Sequence, residues 1–263
     1  MSSASSSSGV RAALSYCVQQ VRNYDYHHYL CLLELPPNVR KSAFALRAFN
    51  VETARAMDVA SDPRIGLMRL LWWQEAIDKI FSNKLIEHPV AQALASVASQ
   101  NKARKTWLKR SVEARIIDAR REPTDIPKTL EELERYGEDT MSTILYSTLE
   151  ASGIKSTAAD HAASHIGKAS GLALLIKSLP YHSSRNRHSS YIPAEIAEKH
   201  GLLVNQSGQS EIRMDSREEV CDPRFVKPRQ FDVFDPRLAQ GVLGVSPLWY
   251  QLKLKWFSLR GKY

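Results

Sequence analysis

The side chains that could do catalysis or metal binding are spread thinly along this 263-residue chain. Glu52 and Asp58 are six residues apart, so on one helix they do not share a face well. His161 and His165 have the i, i+4 spacing of a helical metal pair, but no HExxH glutamate or third ligand accompanies them. Helix packing is the plainer interpretation of this pair. The GxSxG, P-loop and Rossmann motifs are missing from the sequence, so its residues alone point to no common catalytic chemistry.

Helices must position these residues, because alternating strand patterns are nearly absent from the sequence. With 43% apolar residues, the chain is long enough for one large core and does not require two domains. The sequence therefore predicts an all-α fold. The predicted helices cover residues 16–33, 38–59, 66–81, 88–121 (with a turn near 102–105), 130–152 and 157–179, and Pro180 is expected to end the last one.

The charge balance is basic, with 36 Lys and Arg against 28 Asp and Glu, a formal net charge of +8. Such a balance suits nucleic acid, anionic lipid or a basic mitochondrial protein. No nucleic-acid-binding motif is present, and the cations are dispersed along the predicted helices. We therefore expect a solvated basic surface and no nucleic-acid partner.

Cysteine usage and hydropathy indicate a reducing compartment and no integral membrane segment. Cys17, Cys31 and Cys221 are an odd number without CxxC spacing, which argues against a disulfide framework and a zinc ribbon. The best apolar run, residues 172–176, is far shorter than the roughly 20 residues that span a bilayer.

The N-terminal stretch has a distinct composition. Its first acidic residue is Asp25, and seven serines and two arginines precede it. Acid-poor segments containing Ser and Arg resemble organelle transit peptides. The sequence thus predicts that residues 1–15 are either transit-like or simply disordered.

The C-terminal part divides into a proline-containing irregular stretch, residues 206–236, and a basic-aromatic segment, residues 237–263. On a helix, the apolar side chains of the last segment would share one face, with cations beside it. That arrangement suits a membrane interface, and a final helix packed on the bundle is the alternative. The residues predicted to contact a membrane are Trp249, Lys253, Lys255, Trp256 and Arg260.

Several motifs occur in the order that one enzyme family shows. They are LPPNVR at 35–40, FALRAFNVETARAMD at 44–58, RLLWWQE at 69–75, Tyr136, GKASGL at 167–172 and YIP at 191–193. Over residues 16–205 this set resembles the squalene/phytoene synthases. The resemblance implies a helical bundle around a central cavity. In that family, two aspartate motifs on opposed helices hold Mg²⁺, which in turn holds a prenyl diphosphate.

The resemblance also implies that the first metal motif has been lost. It places the family's paired aspartates on Ala54 and Arg55, and only the last acid remains, as Asp58. A methyl group supplies no oxygen ligand, and a guanidinium opposes a divalent cation. We therefore expect no bound metal and no cofactor.

The second metal motif and the diphosphate-contacting serines are replaced as well. The two acids of the second motif fall on Ser178 and His182, and the serines fall on Asp25 and His27. An anionic Asp25 would repel a diphosphate. Three separate replacements imply a pseudoenzyme without catalytic residues.

Further stretches narrow the resemblance to one branch of the family. FALRAFNVE, IGLMR, HAASHIGKASG and PYHSSR look like the non-catalytic branch that serves in assembling mitochondrial respiratory complex I. This implies a complex I subunit or assembly intermediate as the partner, and peripheral association with the matrix side of the inner membrane. After residue 222 the chain departs from that branch, as a shortened product would. The alternative is a working prenyltransferase that uses isoprenoid diphosphates, which would need two carboxylate clusters facing the cavity.

Overall fold

The computed structural model of the chain describes residues 2–84, 86–100, 102–122, 125–184, 192–199 and 255–256. Its helices are α1 (Ser2–Tyr24), α2 (Tyr26–Leu33), α3 (Pro37–Ala54), α4 (Pro63–Phe81), α5 (Pro89–Ala98), α6 (Lys105–Ala119), α7 (Leu130–Gly137), α8 (Thr143–Ala151), α9 (Thr157–Ser184) and α10 (Ala194–Lys199). A π-helical turn, Glu138–Ser142, joins α7 to α8. These residues include no strand, so the predicted all-α class is confirmed.

Local sequence signals set where several helices begin. Pro37, Pro63 and Pro89 stand at the first helical positions of α3, α4 and α5, where a backbone N–H would have no helical partner. Asp62 caps α4, because its carboxylate accepts a hydrogen bond from the backbone N–H of Arg64 at 2.7 Å. These starts were readable from the sequence because they depend on adjacent residues.

Helix α3 is the centre of the fold. Twelve of its eighteen residues are buried, and it packs against α1, α5 and α8. Phe49 meets the ring of Trp73 on α4 edge to face, with ring centroids 5.2 Å apart. A helix buried on most sides gives the residues at its C-terminal end a rigid support.

Helix α9 crosses α7 and the π-helical turn at very short distance. A Cβ atom added to Gly167 would lie 2.6 Å from the Cα of Ser142, closer than real side chains approach. Gly137 and Gly171 form a second point of this crossing. Glycine is therefore needed at these positions, because any side chain would separate the two backbones.

The N-terminal helix is longer than predicted. Helix α1 already begins at Ser2, fourteen residues before the predicted start of the first helix. Ala13, Cys17 and Val21 recur every four residues and are buried in the core. This packing extends the helix where local composition indicated no structure. The transit-like interpretation stays a prediction.

Two predicted helices end earlier than expected. The helix predicted over residues 16–33 is interrupted at Asp25, whose backbone leaves the helical region at φ −150° and ψ 61°. Helix α3 ends at Ala54, so Asp58 lies in the turn that follows and not on the helix itself.

Pro180 does not end α9, contrary to the prediction. The helix continues to Ser184. A proline removes one backbone hydrogen bond and tends to kink a helix, but it does not oblige the chain to leave it. The segments 206–236 and 237–263 lie outside the described residues, apart from Lys255 and Trp256.

Candidate functional site

The central cavity lies between α3, α4, α6, α7 with its π-helical turn, and α9, and its volume is about 140 Å³. Ligand pockets for small molecules usually measure about 300–1,000 Å³. A cavity of about 150 Å³ holds one benzene molecule. The cavity is partly open to solvent, and its volume is below the range of usual small-molecule pockets.

Three residues that the resemblance mapped to metal positions meet on the cavity wall. Ala54 comes from the last turn of α3, Asp58 from the turn after it and Ser178 from α9. The two segments that the resemblance maps to metal-binding motifs thus face a common cavity. Asp58 reaches it from a turn and not from a helix. The side chain of His182 lies outside the described residues.

Most polar groups of the wall are already engaged with the backbone. The amide of Asn50 donates to the carbonyl oxygen of Thr140 at 2.7 Å. The hydroxyl of Thr53 donates to the carbonyl oxygen of Phe49, and that of Ser178 donates to the carbonyl oxygen of Leu175, both at 2.8 Å. These contacts hold the wall in place and direct the donor hydrogens away from any guest.

Two charged residues of the cavity were missed in the sequence. Arg115 and Asp118 line it from α6. Arg115 is buried, and its Nη1 donates to the carbonyl oxygen of Ser111 at 3.1 Å and to the Ser111 hydroxyl at 2.5 Å. Burial lowers the pKa of Arg115, opposed by Tyr136 and Asp118. The i, i+3 spacing of Arg115 and Asp118 predicts that they share one face of a helix. No neighbouring residue in the sequence indicates that this face lines the cavity.

Tyr136 also lines the cavity and stays a neutral phenol. Burial raises the pKa of its hydroxyl well above the usual range, and the carboxylates of Asp118 and Asp58 raise it further. The sequence had singled out Tyr136 only through the family resemblance.

The wall does not fit a Mg²⁺ ion. Among the described residues, Asp58 and Asp118 are the ones that contribute carboxylates to the cavity, and Arg115 brings a buried positive charge to the same wall. One or two carboxylates with waters can hold Mg²⁺ in a protein, so it is the positive charge of the buried Arg115 guanidinium that opposes a divalent cation at this wall. Within the described ranges, no group of three or more His, Cys, Asp or Glu residues is placed to hold a metal.

Arg55, which the resemblance maps to a metal-binding aspartate, packs against α1 and is not among the residues that line the cavity. Its guanidinium carbon lies 3.4 Å from the centroid of the Tyr24 ring, at the end of α1. This is a cation–π contact that ties α1 to the end of α3. The cation that faces the cavity is that of Arg115.

Asp25 and His27 belong to a second cluster, at the junction of α1 and α2. The Nε of Arg47 lies 2.5 Å from Oδ2 of Asp25, and the Nδ1 of His28 lies 2.8 Å from its Oδ1. Burial opposes ionisation of Asp25, but Arg47 and His28 outweigh it and hold the pKa of that carboxyl well below its usual range. The charge expected to repel a diphosphate is therefore present and already neutralised.

A third ionisable cluster joins α1, α3 and the start of α5. The Oε2 of Glu52 lies 3.5 Å from the Nε2 of His88, whose ring packs on Trp72 and Trp73 with centroids 5.1 and 5.2 Å away. Burial raises the pKa of the Glu52 carboxyl to about 7, against the opposing effects of Tyr16 and Arg55.

The remaining sequence candidates lie apart from the cavity. His161 and His165 are exposed on α9, so neither metal binding nor helix packing accounts for them. Lys255 and Trp256 are exposed, while Trp249, Lys253 and Arg260 lie outside the described residues. No helix in the described part of the chain is long and apolar enough to cross a membrane.

The fold agrees with comparisons to known proteins. A family model for squalene/phytoene synthase matches residues 21–221, and the chain belongs to this family. The structure is similar to a crystal structure of a dehydrosqualene synthase in complex with ligand, with a TM-score of 0.61 and 20% sequence identity over 74% of this chain and 65% of that one. At this identity the likeness defines the fold, a helical isoprenoid-synthase bundle.

More similar relatives share one name, NADH dehydrogenase (ubiquinone) complex I, assembly factor 6. The chain is 43% identical to that of Bos taurus over 201 residues, which cover 76% of this chain and 58% of the bovine protein. The relative from Homo sapiens is 41% identical with the same coverage. The Dictyostelium discoideum homolog is 33% identical over 195 residues, 73% of this chain and 53% of that protein. The chain thus spans somewhat more than half the length of these relatives.

Proposed function

We propose that this chain is a non-catalytic factor in the assembly of mitochondrial respiratory complex I. The relatives named above support the assembly role, since their similarity extends from mammals to an amoeba. The absence of catalysis is supported by the residues that line the cavity. Ala54 and Ser178 replace carboxylates there, and Arg115 opposes a divalent cation.

The cavity then has a structural role. Its volume of about 140 Å³ is small for a prenyl substrate, and the Asn50 amide and the Ser178 hydroxyl donate to backbone carbonyls. We infer that the family scaffold has been kept for the surface that it presents to a partner, a complex I subunit or an assembly intermediate.

We place the protein on the matrix side of the inner membrane, as a peripheral protein. The net charge of +8 favours an anionic lipid surface, and the basic-aromatic segment of residues 237–263 supplies both cations and tryptophans. The acid-poor stretch before Asp25 supports a mitochondrial address.

Inactivating the gene for this chain and then re-expressing the chain tests the assembly role. Assembled complex I, measured on native gels and by its NADH oxidation, should fall on inactivation and return with the wild-type chain. Because the old metal site takes no part, Ala54→Asp should restore assembly equally well. A matched loss-of-fold control is Leu46→Asp, which places a charge at a fully buried position.

A second candidate function is prenyl transfer, which the fold likeness to a dehydrosqualene synthase and the two cavity acids Asp58 and Asp118 favour. It requires squalene- or phytoene-type products from purified protein with Mg²⁺ or Mn²⁺, above a heat-killed control. Normal complex I after gene inactivation, together with altered isoprenoid products, would establish this alternative and refute the assembly role.

A further inference from the structure

The cluster at the α1–α2 junction gathers several basic groups around a single buried carboxylate. Asp25 is 7% exposed and Arg47 is 4% exposed, so their ion pair is shielded from water. Arg47 contacts Oδ2 of Asp25 through Nε at 2.5 Å, while its Nη2 lies 3.0 Å from Nδ1 of His28. That same His28 nitrogen lies 2.8 Å from Oδ1 of Asp25. Each carboxylate oxygen therefore faces a basic group.

Two further basic side chains act on the same carboxylate. Burial lowers the pKa of Lys177, and the charge of Asp25 opposes that effect. Burial also lowers the pKa of His27, Lys177 lowers it further, and Asp25 again opposes. His27 comes from α2 and Lys177 from α9, and both are half-buried. Asp25 thus pairs directly with basic groups on two helices, Arg47 on α3 and His28 on α2, and its charge also acts on His27 and Lys177.

A buried guanidinium needs an anion. Leaving one half of a buried ion pair without its partner is strongly destabilising, because a charge then remains in a poorly solvated place. Arg47 sits on α3, the most buried helix of the fold, and cannot turn to solvent without disrupting the core. The basic groups of this cluster could bind an oxyanion such as a carboxylate or a phosphate. In this chain the carboxylate of Asp25 takes that place.

We propose that the carboxylate of Asp25 is a permanent internal anion that occupies a latent oxyanion site formed by Arg47 and His28, with His27 and Lys177 as nearby basic groups. While Asp25 is present, the site takes no external phosphate or carboxylate. The cluster opens to solvent at His28, whose side chain is 37% exposed, so a small anion could enter if the aspartate side chain were removed. This inference does not depend on the assembly role, since it concerns only which ligands the fold admits.

Chemical rescue of Asp25→Ala tests the proposal. The variant should melt at a lower temperature than wild type in sodium chloride, because Arg47 loses its partner. Sodium formate or sodium phosphate at equal ionic strength should then raise the melting temperature saturably, by about 3–6 °C when the anion is at about ten times its dissociation constant. Rescue by formate alone indicates a site sized for a carboxylate, and rescue by phosphate indicates a larger one; both support the proposal.

Two controls separate a built site from a general salt effect. Asp78→Ala also removes a carboxylate that lies near two cations, 2.7 Å from Lys105 Nζ and 3.0 Å from Lys109 Nζ, but on the surface. Its melting temperature should show no saturable response. Adding Arg47→Ala to Asp25→Ala should abolish the response there as well.

The proposal is overturned if wild type shows the same saturable shift, or if folded Asp25→Ala and the isosteric Asp25→Asn show none. If neither variant can be purified folded, the yield of refolded protein with and without formate is the measurement. An equal yield under the two conditions also overturns the proposal.

Discussion

A Cβ atom added to Gly171 on α9 would lie 2.6 Å from the Cα of Gly137 at the end of α7. The two backbones therefore touch without any side chain between them. This contact fixes how α9 approaches the cavity, and so where Ser178 faces Asp58.

Replacing this glycine should destabilise the protein. Gly171→Ala should lower the free energy of unfolding by about 1–3 kcal/mol, because the added methyl group forces α7 and α9 apart. Urea unfolding followed by circular dichroism measures the change. Gly9→Ala is the matched control, since nothing lies within 4 Å of its Cβ position in α1, and it should be neutral or stabilising by about 0.5–1 kcal/mol. Equal stabilities for Gly171→Ala and wild type would contradict the close crossing.

The stability of the fold should also depend on the protonation of Glu52. Its pKa of about 7 in the folded state lies above the value of about 4.3 expected when unfolded, so the folded state binds the proton more tightly. The associated stability is fully present below about pH 4.3 and is lost as the pH rises through 7. Between pH 5 and pH 8, wild type should therefore lose on the order of 2–3 kcal/mol relative to Glu52→Gln.

Wild type and Glu52→Gln both retain His88, so the comparison removes every part of the His88 effect except the part that depends on Glu52, 3.5 Å away. Burial lowers the pKa of His88, so its contribution is lost as the pH falls. Glu75→Gln removes an exposed carboxylate and should follow wild type across the pH range. This role of Glu52 would be excluded if the free energy of unfolding changed equally with pH in wild type and in Glu52→Gln between pH 5 and pH 8.

Placing an acid at residue 54, which the resemblance maps to a metal-binding aspartate, should not create an enzyme. Ala54→Asp would place a second carboxylate near Asp58, but Arg115 still brings a positive charge to the cavity and opposes a divalent cation. Incubation with prenyl diphosphates and Mg²⁺ should give no more product than heat-killed protein. Product formation by this single variant would show that the cavity retains the rest of a catalytic site.

The basic-aromatic segment should support peripheral membrane binding. Deleting residues 248–263 should reduce the fraction of protein that sediments with vesicles containing anionic lipid, and salt should release wild type because the cations are screened. Replacing only Trp249 and Trp256 by Ala should weaken binding without changing its salt dependence. Undiminished binding after the deletion would move the membrane contact to another part of the chain.

The sequence alone determined the class of fold and the order of its main helices. Helical spacing is a local property, and prolines such as Pro37, Pro63 and Pro89 mark helix starts through their immediate neighbours. Ordered motifs likewise placed Ala54, Asp58 and Ser178 on a common cavity through the family resemblance. Those inferences needed no knowledge of which helices touch.

Only the tertiary structure decided what the polar side chains face. Asp25 pairs with Arg47 twenty-two residues away, and Arg115 lines the cavity although its helix carries no distinctive motif. Arg55, next to Ala54, turns instead to the ring of Tyr24. A periodic pattern indicates which helix face is apolar, but the partner of a charge depends on which remote helix packs there. That choice is made by the contacts between helices, such as the one at Gly171, and it settles which charges are neutralised and which face the cavity.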